Sequence, residues 1–180
     1  MKTNILQKSK LSFKAQTLAI IIAVISAVAL PQLVHLIGGY AGLGTSVGEI
    51  FLPMHLPIIV AGFVGGPVVG AVAGALAPVI SFALTGMPVA VALPFILIEI
   101  FAYGFVSGLL SNAKLNAFVK VLLTQILGRV MRILAVVIAT NVFGFEKITL
   151  AAVLSSMVMG VVSVIIQWLV CTVVIRKKYE

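Results

Sequence analysis

The chain has 180 residues, of which 62% are hydrophobic and 9% charged, with 12 Lys+Arg against 4 Asp+Glu and a formal net charge of +8. Soluble domains carry about 25% charged residues, so this composition excludes an ordinary water-soluble fold, and its hydrophobicity excludes disorder. A membrane span takes about 20 apolar residues, so the expectation is one compact transmembrane domain over residues 1–180 with no separate catalytic module.

The first predicted span covers about 15–37. Lys2, Lys8, Lys10 and Lys14 precede it, and Gly38-Gly39 ends it. Ser26-Ala27-Val28-Ala29 has the small residues of a signal-peptide cleavage site, but the apolar run continues beyond it, so a retained anchor is expected. Gly38 to Gly48 is too rich in glycine to span. From Ile50 to Leu84 the chain is nearly all apolar. A single helix over that stretch would be about 50 Å long, against a hydrocarbon core of about 30 Å. It must fold back, and Gly65-Gly66-Pro67 is the turn signal. The second span is therefore about 48–65, with Pro53 and Pro57 bending its first half, and the third about 67–84, opened by Pro67.

Thr85-Gly86-Met87-Pro88 turns the chain into a fourth span at about 91–110, followed by Ser111-Asn112-Ala113-Lys114. The fifth span is about 118–142, Gly144-Phe145-Glu146-Lys147 turns it, and the sixth is about 149–175, closed by Arg176-Lys177-Lys178. Six spans place the N-terminal lysines, Lys114, Lys120 and the C-terminal basic run on the cytoplasmic side, as the positive-inside rule requires. An odd count would put one basic terminus outside. The fold class expected is thus an all-α, six-helix integral membrane protein with both termini cytoplasmic. The positive charge belongs to topology, not to nucleic-acid binding, because the basic residues are not interleaved with aromatics on a soluble face.

Ala15, Ala19, Ala23 and Ala27 recur every four residues along the first span. Small-residue stripes let helix backbones approach closely in lipid, either within the bundle or against a partner. Gly62, Gly66, Gly70 and Gly74 suit packing within the bundle.

Ionisable residues inside a span are functional candidates, because hydrocarbon penalises them unless they are paired or hydrated. His55, Glu99, Arg129 and Arg132 stand out. Glu99 lies about 12 Å below the outer end of its span, and Arg132 and Arg129 about 15 and 20 Å below theirs. Arg129 and Arg132, three apart, share a helix face. A Glu99–Arg132 pair keeps both charges compensated; it is either a lock between two helices or the floor of a ligand cavity. Arg129 either binds an anionic or carbonyl group bidentately or reaches towards the cytoplasmic interface. His55, between two prolines, either satisfies carbonyls left without helical donors or lines the cavity. Glu49, Asn141 and Gln32, near the outer face, either rim the pocket or are simply hydrated.

No metal is expected: His55 and His35 are isolated, whereas zinc takes three or four ligands. Cys171, alone in an apolar run, reads as a small buried hydrophobe. No cofactor and no enzymatic activity are expected either: there is no Asp, no nucleophile elbow, no HExxH and no Walker-type loop.

These features resemble a known family. The alanine stripe, the run Phe51-Leu52-Pro53-Met54-His55-Leu56-Pro57, then Ala61-Gly62-Phe63, Gly66-Pro67, Pro78, Thr85-Gly86-Met87-Pro88, Glu99 with Tyr103-Gly104, and Gly128-Arg129 are similar to the substrate-binding S components of energy-coupling factor (ECF) transporters, in a vitamin-uptake branch. The resemblance spans about residues 15–132. It implies a multi-pass protein of a prokaryotic plasma membrane that binds a vitamin or precursor in an outward-facing pocket. It further implies docking through the alanine stripe onto a transmembrane coupling subunit carried by two cytoplasmic ATPase subunits. The substrate implied is hydroxymethylpyrimidine or a pyridoxine-like compound, with pantothenate or cobalamin as alternatives. A stand-alone secondary carrier or channel, or a scaffold whose charges only lock helices, are the readings outside that family.

Overall fold

The computed structural model describes residues 11–42, 51, 53–145 and 147–179. Seven α-helices and no strand occur among the described residues. α1 (Phe13–Tyr40) opens at Ser12, whose side chain accepts the Ala15 N–H at 3.3 Å and so satisfies one of the orphan donors of the first turn. α2 (His55–Gly65) is only 11 residues long, about 16 Å. It starts later than the 48–65 expected, and residues 48–50 and 52 lie outside the described part. Pro57 occupies the first turn, where an N–H would lack an intrahelical partner in any case.

Gly66 turns the chain with φ 91°, and Pro67 follows as the first residue of α3 (Pro67–Thr85). α4 (Leu93–Leu110) also carries a proline, Pro94, in its opening turn. α5 (Ala117–Phe143) is capped by Asn116, which accepts the Val119 N–H at 2.8 Å. Gly144 ends it in the left-handed conformation at φ 62°.

The expected sixth helix is two helices. α6 (Leu150–Met159) and α7 (Val161–Tyr179) meet at Gly160 with a bend of 54°. The sequence there, Ser155-Ser156 followed by Gly160, combines residues that weaken helix continuity, and such combinations are a common cause of kinks.

α4 lies at the centre, packed most extensively on α3 and also on α5 and α2. The approach is close because glycines meet glycines: a methyl on Gly70 would overlap the Gly104 carbonyl, and one on Gly104 the Gly70 carbonyl. α1 packs against α3 and α2, and α7 against α5 and α2. Trp168 of α7 sets its ring 3.9 Å from that of Phe118 and donates its indole N–H to the Phe118 carbonyl.

Large apolar side chains also cover the outside. On α1 alone Leu18, Ile21, Ile22, Ile25, Leu36 and Ile37 are exposed, Ile25 to 62%. In water such a surface would drive aggregation; in hydrocarbon it is solvated. Four helices (α1, α3, α4 and α5) are long and apolar enough to cross a bilayer, and the bent α6–α7 pair makes a fifth. The chain is a multi-pass, all-helical membrane protein.

Candidate functional site

Four polar side chains, His55, Glu99, Tyr103 and Arg132, meet between α2, α4 and α5. Glu99, on α4 and only 1% exposed, is the hub. Its Oε2 accepts from Arg132 Nη1 of α5 at 3.0 Å, while its Oε1 accepts from the Tyr103 hydroxyl at 3.1 Å. His55, the first residue of α2, brings Nε2 to 4.0 Å from Glu99 Oε2 and sets its ring edge-on to Tyr103, centroids 5.2 Å apart. A buried carboxylate is tolerable only when its oxygens are matched by donors and an opposite charge; Tyr103 of α4 and Arg132 of α5 supply them, with His55 of α2 alongside.

Local structure explains the convergence. Tyr103 follows Glu99 by four residues and therefore stands on the same face of α4. Gly128 lets α5 close onto that face: a methyl there would run into the Tyr103 ring. Arg132 follows Gly128 by one turn and so reaches the carboxylate.

Arg129 is placed differently from Arg132. Its Nη1 donates to the Met157 carbonyl at 3.3 Å. That carbonyl belongs to the last turn of α6, where the break at Gly160 interrupts the helical ladder. Arg129 therefore bridges to the broken span and makes no ion pair with Glu99. Its Nε and Nη2 are buried without a partner, as is Nε of Arg132. The group Arg129 meets is a backbone carbonyl, bound through one nitrogen.

Of the other expected site residues, Asn141 is exposed and donates its amide to Val137 of its own helix at 2.8 Å. Gln32 is exposed on α1. Neither enters the hydrogen bonds of the Glu99 centre, and Glu49 lies outside the described residues. The alanine stripe turns inward. Ala23 and Ala27 are buried in one apolar cluster with Ala73 and Ala77 of α3, and Ala19 packs against it. Ala19, Ala23 and Ala27 thus pack towards α3, while Ala15 is half-buried outside that cluster.

Two participants escaped the reading of candidate residues: Tyr103, for which the four-residue spacing from Glu99 was an available signal, and the Met157 carbonyl, for which no side-chain pattern exists. Gln125, one turn before Arg129, is also part of this interior: its Nε2 donates to the Val164 carbonyl at 3.0 Å, and its Oε1 is buried without a donor. No cluster of three or more His, Cys, Asp or Glu forms among the described residues. Comparison of the chain with protein-family models, with curated proteins and with solved structures finds no match.

Proposed function

We propose that this chain is the substrate-binding subunit of an ECF-type importer in a prokaryotic plasma membrane. It crosses the bilayer six times with both termini in the cytoplasm, captures a B-type vitamin or precursor from outside, and releases it inward when a coupling subunit driven by two ATPases acts on it. The observation that carries this reading is the buried centre of Glu99, Tyr103, His55 and Arg132 beside Arg129, whose guanidinium keeps two donors unfilled. A lock between helices needs only one matched pair. Surplus oriented donors inside an apolar bundle are what a polar ligand site requires. The motif resemblance supplies the class of ligand: a ring with hydroxyls, such as hydroxymethylpyrimidine or pyridoxine, or a hydroxyl-bearing acid such as pantothenate.

The coupling subunit docks along the lipid side of α1, where Ile21 and Ile25 border an apolar groove shared with Leu76, Ile80 and Leu84 of α3. The deciding experiment is a thermal-stability screen of the purified chain with B-type vitamins and their precursors. A ligand at 100 times its dissociation constant adds about 2.7 kcal/mol of stability, and Arg129→Ala and Glu99→Gln abolish the gain. A screen in which no compound stabilises the chain refutes the reading.

A second reading is a stand-alone carrier in which Glu99 exchanges a proton during transport, favoured by His55 Nε2 lying 4.0 Å from the carboxylate. It predicts uptake by the chain alone in liposomes under a proton gradient, whereas the importer reading predicts none without the coupling module.

A further inference from the structure

The donors left open in the bundle specify more than a polar ligand. Guanidinium Nε and Nη2 share one edge of the planar group, and in Arg129 this whole edge is buried and unpartnered while Nη1 is held by the Met157 carbonyl. That edge is the side-on fork that receives two oxygens of a carboxylate in parallel. The charge balance points the same way. Glu99 is the only acid among the described residues, and Arg132 already neutralises it. In sequence Glu146 and Glu180 flank the predicted spans, and Glu49 falls at the outer end of the predicted 48–65 span. Among the described residues Arg129 thus has no acidic partner.

A lipid headgroup is badly placed to supply the missing anion. Arg129 stands 12 residues from the start of α5 and 14 from its end, about 18 and 21 Å along the helix. Headgroup phosphates lie outside a hydrocarbon core about 30 Å thick. Besides the donor Arg132 Nε, this interior holds an open acceptor, Gln125 Oε1. Positions four apart on a helix are neighbours, about 5–6 Å between Cβ atoms, so a ligand held by Arg129 has an acceptor waiting one turn further along α5.

We infer that the ligand is a small monocarboxylate, received by the Nε–Nη2 edge of Arg129, that carries a hydroxyl or amide N–H about one helical turn away for Gln125 Oε1. This rests on the chain being a substrate-binding subunit, and selects the anionic members of the vitamin class over the neutral ring compounds.

The test uses matched pairs that differ at the carboxylate: pantothenate with pantothenol, biotin with biotinamide, and nicotinate with nicotinamide, alongside neutral pyridoxine and hydroxymethylpyrimidine. Dissociation constants are measured by calorimetry on the purified full chain in phosphatidylcholine nanodiscs. The expected result is that the tightest binder is a carboxylate, that its neutral partner binds at least tenfold more weakly, and that Arg129→Gln erases this difference. Arg129→Lys keeps the charge without the fork and recovers part of it. Ligand-free melting of each variant reports folding, and the wild-type comparison stands even where a variant does not fold. A neutral compound as the tightest binder overturns the inference but upholds the subunit. So does a carboxylate preference that survives Arg129→Gln in a folded variant. Binding by none of the compounds overturns both. Loss of the preference in phosphatidylglycerol nanodiscs assigns the edge to a lipid headgroup and overturns the inference alone.

Discussion

Glu99 is held by donors from two helices, so its removal has a cost beyond one hydrogen bond. Glu99→Gln leaves Arg132 without its counter-charge inside the bundle. Breaking a buried pair from one side costs about 3 kcal/mol or more, and unfolding titrations in detergent micelles should show a loss of that order. Removing both partners, as in Glu99→Leu with Arg132→Met, restores the original charge balance and recovers most of that stability. Failure of the double variant to recover would show that the pair is not the main electrostatic contact of Glu99. Tyr103→Phe deletes one hydrogen bond and leaves the ion pair, so it costs about 1 kcal/mol. At this scale the sequence shows which residues are out of place in hydrocarbon, because charge within a span is conspicuous. It does not show that Arg132 pairs with Glu99 while Arg129 turns to Met157. Both arginines share a face of α5, and what separates them is the position of α6, which no spacing along α5 encodes.

Helix contacts in lipid have no hydrophobic driving force and depend on how closely backbones pack. The α3–α4 contact rests on Gly70 against Gly104, so Gly70→Leu and Gly104→Leu each force the two helices apart. Each should destabilise the chain by more than the roughly 1–3 kcal/mol typical of overpacking, because the colliding atoms are backbone. Gly39→Ala is the control: nothing lies within 4 Å of the Cβ it would add. Its melting temperature should stay unchanged. Ala27, with no exposed surface, behaves like the glycines, and Ala27→Leu should lower stability by about 1–3 kcal/mol. A docking face has a different signature. Ile21→Trp with Ile25→Trp on the lipid side of α1 should stop uptake with the coupling module while leaving ligand-induced stabilisation intact. Loss of that stabilisation as well would remove the docking assignment. The turn at Gly66-Pro67 is written in the chain, because the proline suits a first helical turn and the glycine accepts a positive φ. The break at Gly160 is written only faintly, since one glycine in an apolar run is compatible with a continuous helix.

Across the whole molecule, the proposed six-span topology predicts position 112 inside and position 147 outside. With Cys171→Ser as background, a cysteine at Asn112 should react with a membrane-impermeant maleimide only after the cells are opened. A cysteine at Lys147 should react in intact cells. The reverse pattern at either position overturns the orientation. Cys171 itself is buried, so its own labelling should be low even before it is replaced.

The sequence by itself determined the solvent, because 62% hydrophobic residues with 9% charge can be accommodated only in a bilayer. It also determined where the chain turns, through glycine, proline and the basic residues at span ends, since these act through local backbone geometry and through the membrane surface. The tertiary structure alone decided what the interior charges do. Which face of α1 meets α3, which arginine meets Glu99, and which carbonyl of the bent α6–α7 span receives Arg129 depend on how helices far apart in sequence pack together. In lipid that packing follows the fit of glycines and alanines against neighbouring backbones, and neither hydropathy nor periodicity records which backbone they meet.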